Sequence, residues 1–351
     1  MRVLFIGDGE SVHVIRWLEA MRERGVEVHL VTDRPGKMND VYQYVLPRAS
    51  SILFRVLQGF KVRKIAREIK PDIVHAHYVT SYGLWGAMIK KLCPYVITAW
   101  GSDILLTPGK NILYRWLTSR VLDRADLVTA DADEVIRKVR LLAPLTNAIN
   151  IQWGVDLRQF PERESDFGDS NVQLISLRAW EPLYHILDIV EAFALVVKKN
   201  PGIRLHLLGG GSLESDINTK LEKLELLDSV TCHGRVAEEK VTELLYIADI
   251  SISVPELDGS AMSLLESMAS GAALVVSDIP ANREWLDENS AEFVPVGEKA
   301  QLAAKLESLV VSSDRRKALT KRARQMVVEK ANRDIEMNRM YEQYVNLAGD
   351  Y

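Results

Sequence analysis

The chain alternates short apolar runs with stretches of helical periodicity, and it does so twice. Buried parallel strands read as unbroken apolar runs because helices cover both faces of their sheet. In the first half, Arg2–Ile6, Val26–Thr32, Ile73–Ala76, Tyr95–Thr98 and Leu127–Ala130 have that character, with a helix expected over His13–Arg24 and ended by Gly25. The rhythm restarts at Val172–Ser176. A helix follows over Ile186–Lys199, stopped by Asn200-Pro201-Gly202, and then strands at Arg204–Leu208, Val230–His233, Ile250–Val254 and Ala273–Ser277. Connections between parallel strands through helices are right-handed crossovers. Each half therefore reads as a doubly wound α/β unit of Rossmann-like type.

A length of 351 residues also exceeds one ordinary core. The break falls near Gly154–Ser170, a polar stretch with Pro161, Gly168 and four acids from Glu162 to Asp169. The expected plan is a first domain over 1–155, a linker over 156–170, a second domain over 171–325 and a C-terminal helix over 326–351. That helix is either exposed or a clasp crossing back over the first domain. Two doubly wound domains in tandem face a cleft with the carboxyl ends of their strands, where ligands bind in such folds.

Net charge is −4, which argues against a nucleic-acid binder. Two cysteines, Cys93 and Cys232, fit a reducing compartment rather than a disulfide scaffold. The start, MRVLFIGDG, runs straight into a strand and lacks the build of a signal peptide. No window reaches about 18 apolar residues, so no membrane span is expected. The expected location is cytoplasmic, with peripheral contact on the inner face of the membrane left open.

The segment Val254–Pro280 carries the most chemistry. Asp258-Gly259-Ser260 forms a loop, and Ser263 is expected to open a helix that stops at Gly271. A helix N-terminus offers unpaired amides and a positive dipole, which suits a diphosphate. Gly259, Ser260 and Ala261 are small enough for a ligand to approach the backbone. Asp258 and Glu266 cannot neutralise a phosphate, so they would accept hydrogen bonds from hydroxyls. The same spacing, Ser263-Leu-Leu-Glu266, matches a capping box in which Glu266 only bonds the backbone. Spacing alone leaves both readings standing.

The segment resembles the signature of the retaining glycosyltransferases of family 4, which have the GT-B fold. Members carry a Glu, seven residues, a second Glu, then Ala/Ser-Met-Ala-x-Gly and a Val-Val strand. Here Asp258 stands at the first place, and Glu266-Ser-Met-Ala-Ser-Gly271 and Val275-Val276 follow in register. Cys232-His233-Gly234-Arg235-Val236 resembles the family's strand-Gly-Arg loop near the nucleobase. Ile151-Gln-Trp-Gly154-Val155-Asp156 resembles its Gly-Val-Asp linker. Arg178 matches a family Arg near the donor phosphates, but Leu183 and Tyr184 stand where a Lys is usual. The resemblance thus implies an N-terminal acceptor domain, a C-terminal donor domain, catalytic roles for Arg178, Asp258 and Glu266, and donor contacts from Gly234, Arg235 and Gly259-Ser-Ala-Met-Ser-Leu264. Against it, Arg178 could also be a surface residue paired with Glu181.

On the acceptor side, Gly7-Asp8-Gly9-Glu10 resembles the family's Gly-rich loop, with His13 near the helix that follows. Ile97-Thr-Ala-Trp100-Gly-Ser-Asp103 resembles another family loop, with Trp100 in place of its usual His. His75-Ala-His77 points two imidazoles to one side of a strand end without a third metal ligand. A basic amphipathic stretch from Arg55 to Lys70 reads as a core helix with a solvated face or as a surface for anionic lipid. The implied activity is transfer of a sugar from a nucleotide-diphosphate sugar to an acceptor hydroxyl with retention, in surface glycan or glycolipid synthesis. No metal and no cofactor is expected. A sugar-nucleotide epimerase or hydrolase of similar two-domain shape and a non-catalytic nucleotide-sugar-binding subunit are the alternatives.

Overall fold

The computed structural model describes residues 1–38, 40–49, 51–90, 92–161 and 171–349. Two compact units result, one of Met1–Trp153 with Arg333–Tyr351 and one of Gly154–Asn332. Most of the expected linker, 162–170, lies outside the described residues.

The first unit runs β1 (Arg2–Ile6), α1 (Val12–Arg22), β2 (Glu27–Thr32), β3 (Tyr42–Val45), α2 (Ile52–Ile69), β4 (Ile73–His77), α3 (Tyr82–Ala87), β5 (Tyr95–Thr98), α4 (Ser102–Leu105), α5 (Ile112–Leu122), β6 (Leu127–Ala130), α6 (Asp133–Leu142) and β7 (Ala148–Asn150). Its strands form one sheet in the order β3-β2-β1-β4-β5-β6-β7, every described pair parallel. The apolar runs are explained by burial on both faces. In β1, Val3 and Phe5 enter one core while Leu4 and Ile6 enter the other.

The second unit runs β8 (Gln173–Ser176), α7 (Ile186–Val197), β9 (Arg204–Leu208), α8 (Glu214–Lys223), β10 (Val230–Gly234), α9 (Glu238–Ile247), β11 (Ile250–Ser253), α10 (Met262–Ser270), β12 (Ala273–Ser277), α11 (Pro280–Trp285), β13 (Glu292–Val294), α12 (Lys299–Val310) and α13 (Ser313–Lys330). Its parallel sheet has the order β10-β9-β8-β11-β12-β13. In both sheets the order reverses beside the first strand, between β1 and β4 and between β8 and β11. Loops at the carboxyl end of such a reversal splay apart and leave a crevice.

Three details differ from the sequence reading. Strands β3, β7 and β13 were not expected; they have three or four residues each at or next to a sheet edge, too short for a periodic signal. Helix α10 begins at Met262 with Ala261 as its N-cap and no capping side chain, so Ser263 lies inside the first turn. The capping-box geometry is therefore absent. The expected terminal helix from 326 starts inside α13; the break comes at Ala331–Asn332, and a separate helix, α14 (Arg333–Gly349), follows.

Helix α14 packs on the first unit. Met337, Met340 and Tyr344 are buried against Trp17 and the β1 face. Arg24 donates to Asn338 and to the Asp334 carbonyl. Glu336 accepts from the Gln152 amide at 2.9 Å. The Tyr344 hydroxyl lies 2.5 Å from His75 Nδ1, and Trp17 Nε1 donates to it at 3.4 Å. Burial holds His75 neutral, well below the usual imidazole range. A neutral imidazole has one acceptor and one donor nitrogen. With Trp17 donating to the phenol oxygen, the phenol O–H serves His75 Nδ1, and His75 Nε2–H serves Thr98 Oγ1 at 2.7 Å. Tyr344→Phe keeps the packing but strands two buried polar groups. The expected cost is about 1–3 kcal/mol, read as a lowered denaturant midpoint. An unchanged midpoint would show that the hydroxyl contributes nothing.

Candidate functional site

In the second unit the crevice between β8 and β11 brings together residues 80 positions apart. Arg178 follows β8, and Asp258 and Ser263 follow β11. Arg178 donates through Nη2 to Asp258 Oδ2 at 2.5 Å and through Nη1 to Ser263 Oγ at 3.1 Å. Its guanidinium lies 4.4 Å from the centre of the Tyr184 ring, a cation–π contact. The residue is only 7% exposed, and its Nε has no hydrogen-bond partner among the described residues. The alternative pairing with Glu181 does not occur. Glu181 accepts from the Ser212 amide at 2.9 Å and from the Ser212 hydroxyl at 2.5 Å.

Loop packing fixes this position. A Cβ on Gly209 would lie 2.3 Å from the Arg178 carbonyl oxygen, and one on Gly211 would lie 2.4 Å from that of Trp180. The Gly209–Gly211 loop thus presses directly on the backbone that carries Arg178. The Gly209 amide donates to Gly234, whose φ is +67°, and the exposed Arg235 lies alongside Gly210. Around Gly259, by contrast, an added Cβ meets nothing within 4 Å, so protein packing does not demand a glycine there.

Residues 260–264 divide by role. Ser260 is buried, and its hydroxyl accepts from Trp285 Nε1 at 3.1 Å. Ala261 and Met262 pack on the core. Leu264 is a core side chain whose amide donates to the Ala261 carbonyl at 3.0 Å, so it is not placed to serve a ligand. The amides of Met262 and Ser263 sit at the first two helical positions, where no preceding carbonyl reaches them. Glu266 lies one turn further along α10, buried at 7% exposure.

In the first unit a cavity of about 350 Å³ opens at the β1–β4 reversal, lined among others by Asp8, Asp33, Arg34, Arg48, Arg55, His77 and Trp100. His77 is buried, its Nε2 is without a partner among the described residues, and burial pushes its imidazole down to about 3. His13 lies between Trp100 and Trp153, with ring centres 5.6 and 4.6 Å away, and burial takes it down to about 4. Both imidazoles are thus neutral at any working pH. His75 and His77 stack at 4.5 Å. His75 is spent on Tyr344 and Thr98, which leaves no pair of imidazoles for a metal. Among the described residues no group of three His, Cys, Asp or Glu is placed to hold one.

Two expected acceptor-side residues, Gly9 and Asp103, work on the scaffold, and a third, Glu10, faces solvent. Gly9 makes room for the loop after β2: a Cβ there would lie 2.7 Å from the Arg34 carbonyl oxygen. Glu10 is exposed and reaches Arg48 only at 3.9 Å. Asp103 is fully buried and accepts from the Val79 and Trp100 amides at 2.7 and 2.9 Å, so it sets the loop that carries Trp100. Burial outweighs those amides and pushes its carboxyl up to about 6.

A profile described as glycosyl transferases group 1 matches residues 159–326, and one described as glycosyl transferase 4-like matches residues 2–132. The chain belongs to the group 1 glycosyltransferases. N-acetyl-alpha-D-glucosaminyl L-malate synthase of Bacillus anthracis is 24% identical over 335 residues, covering 88% of this chain and 86% of that one. Alpha-monoglucosyldiacylglycerol synthase of Streptococcus pneumoniae is 24% identical, covering 88% and 76%. Among solved structures, sucrose-phosphate synthase of Thermosynechococcus elongatus superposes with a TM-score of 0.82 at 15% identity over both whole chains. Anabaena Alr3699/HepE in complex with UDP-glucose gives 0.81 at 16% identity, covering 99% of this chain and 100% of that one. The architecture is GT-B.

The sequence of this glycosyltransferase gave no sign of Trp285 as the partner of Ser260, nor of Arg34, Arg48 and Arg55 converging on one cavity. Residues so far apart along the chain meet only through sheet order. The site geometry separates capping from pairing. Ser263→Ala should change the melting temperature little, since loss of a true N-cap would cost about 0.5–2 kcal/mol. Asp258→Asn removes the counter-charge of a nearly buried guanidinium and should cost about 3 kcal/mol. Equal effects of the two substitutions in the same denaturant titration would contradict this assignment.

Proposed function

We propose that this protein transfers a sugar from a nucleotide-diphosphate sugar to an acceptor hydroxyl with retention at the anomeric carbon, without a metal, in surface glycan or glycolipid synthesis. The observation that carries the reading is the Arg178–Asp258–Ser263 junction at the N-terminus of α10. Asp258 neutralises Arg178, which lowers the cost of keeping that cation out of water. An arriving diphosphate is the better partner for a planar guanidinium and for the Met262 and Ser263 amides. Asp258 is then released to accept a hydroxyl of the donor sugar, and Glu266 is assigned to the ribose.

Tyr184 takes the place of the family's usual Lys but brings no charge. Its ring braces the guanidinium from below, so the work of holding the leaving diphosphate rests on Arg178 and the amides. The solved relative from Anabaena binds UDP-glucose, so a uridine diphosphate sugar is the first donor to test. The acceptor hydroxyl is assigned to the cavity at His77 and Trp100. Because His77 is neutral, it can exchange a hydrogen bond with that hydroxyl without adding charge.

Initial rates decide the donor site. Arg178→Ala should lower turnover about 10²–10³-fold, the size typical of one lost transition-state donor. Tyr184→Phe, which keeps the brace, should cost far less. Excess chelator should leave the rate unchanged, and the product should keep the anomeric configuration of the donor. Near-parental transfer by Arg178→Ala, or activity restored to chelated enzyme only by magnesium or manganese, would overturn this assignment. Sugar released or epimerised equally well without acceptor would favour the epimerase or hydrolase reading.

The same enzyme is proposed to work at an anionic membrane surface. Helix α2 buries Gln58, Val62, Ala66 and Ile69 on one face. On the opposite face, at helical spacing, Leu53, Leu57 and Phe60 are exposed and run on to Lys64. Lys61 and Arg67 flank that stripe, and Ile112 and Trp116 of α5 are exposed as well. Apolar residues inside a rim of cations suit the headgroup boundary of an anionic bilayer. No helix among the described residues is long and apolar enough to cross a membrane. Lys61→Glu with Lys64→Glu should reduce co-sedimentation with anionic vesicles, and the parent's binding should fade as salt screens it. Co-sedimentation unaffected by both changes would contradict this surface.

A further inference from the structure

The first-unit cavity contains more positive charge than an uncharged acceptor needs. Arg34, Arg48 and Arg55 line it from three different segments, against the carboxylates of Asp8 and Asp33. Both acids are already engaged. Asp8 pairs with Arg34 at 3.1 Å. Asp33 pairs with Arg55 at 3.1 Å and accepts from the Tyr82 hydroxyl at 2.6 Å. Arg48 is exposed and reaches Glu10 at 3.9 Å. One positive charge is therefore in excess among the lining residues.

Arg55 gives that excess a direction. Its guanidinium is built in, 5.4 Å from the Tyr82 ring and 4.9 Å from that of Trp85. Asp33 holds one of its terminal nitrogens, while Nη1 is buried without a hydrogen-bond partner among the described residues. A charged N–H left unsatisfied in a buried site is costly. Evolution of an apolar acceptor pocket would have no use for it. His77 and Trp100, to which the acceptor hydroxyl is assigned, line the same cavity. The arginines add an anion-holding function to that place.

We infer that the acceptor carries an anionic group, a phosphate ester or a carboxylate, seated by Arg55, Arg48 and Arg34 while its hydroxyl faces His77. This inference rests on the transferase reading for the word acceptor, but the binding of the anion is testable without turnover. Arg55 is the best-placed donor, with its plane fixed by two rings and a carboxylate. Arg34 and Arg48 are more exposed and close over the ligand. An anion here would also draw Arg34 away from Asp8, much as a diphosphate is proposed to draw Arg178 from Asp258.

Inorganic phosphate is the probe, titrated calorimetrically into protein carrying Arg178→Ala, so that the donor site does not contribute. One phosphate should bind, and adding Arg34→Ala and Arg48→Ala should weaken it at least about 10-fold, the size expected for lost charge-assisted hydrogen bonds. Both positions are exposed, so the fold should survive; a melt of the same protein checks this. Arg55→Lys, which keeps charge but loses the fork, should weaken binding as well. Phosphate affinity unchanged by the arginine substitutions, or no phosphate binding at all, would overturn the inference. A second arm uses the otherwise unaltered enzyme and matched acceptors: glycerol against glycerol 3-phosphate in solution, and diacylglycerol against phosphatidylglycerol in vesicles. Preference for the anionic member of either pair supports the inference and tells a free anion from a lipid headgroup. Preference for the neutral members would overturn it. Donor cleavage measured without any acceptor reports separately on the transferase reading, so the two failures remain distinguishable.

Discussion

A guanidinium that is almost completely withdrawn from water must be answered by a negative charge. In the second unit that constraint organises everything near α10. Arg178 is answered by Asp258 across the β8–β11 reversal, steadied by Ser263 and braced by Tyr184. The loop after β9 is in turn packed so tightly on the backbone of Arg178 and Trp180 that Gly209 and Gly211 admit no side chain. The pair leaves little net charge at that place. It is also easily disturbed, because either partner will trade the other for a ligand of the right sign.

The first unit repeats the arrangement with different residues. Asp33 and Arg55 occupy the matching crevice at the β1–β4 reversal, again with an aromatic ring beside the cation and an unsatisfied N–H left over. Each unit thus places an arginine–aspartate pair at its crevice, but from different elements: Asp33 follows β2 and the half-buried Arg55 lies on α2, whereas Arg178 and Asp258 follow β8 and β11. The shared cause is the sheet order. Loops that diverge at a reversal leave room for a ligand and bring distant charges within reach of each other.

How much of this was legible in the sequence follows from range. Apolar runs set the central strands because burial on both faces leaves no polar alternation. The edge strands β3, β7 and β13 were missed because three or four residues carry no period. Arg178, Asp258 and Glu266 were singled out through resemblance, but the pairing of Arg178 with Asp258 was not, since nothing local links positions 80 apart. The capping reading of Ser263-Leu-Leu-Glu266 was a fair match to spacing and failed on register: the N-cap is Ala261, two residues earlier. Gly9, Asp103 and Leu264 had the right addresses for ligand contact, yet serve a close loop approach, two buried amides and the core. Arg34, Arg48 and Arg55 gave no local signal, since only the folded sheet collects them.

The contact of Tyr344 with His75 has a consequence for the order in which the protein assembles. A ribosome delivers β4 early and α14 only after the whole second unit has emerged. Domains generally fold as units during synthesis, the N-terminal one first. Here the first unit lacks one of its own layers until residues 333–349 arrive, so its Trp17 face must wait uncovered while the second unit forms. The part of the chain made first is completed last. That delay makes the nascent first unit the stage at which a chaperone would have most to protect.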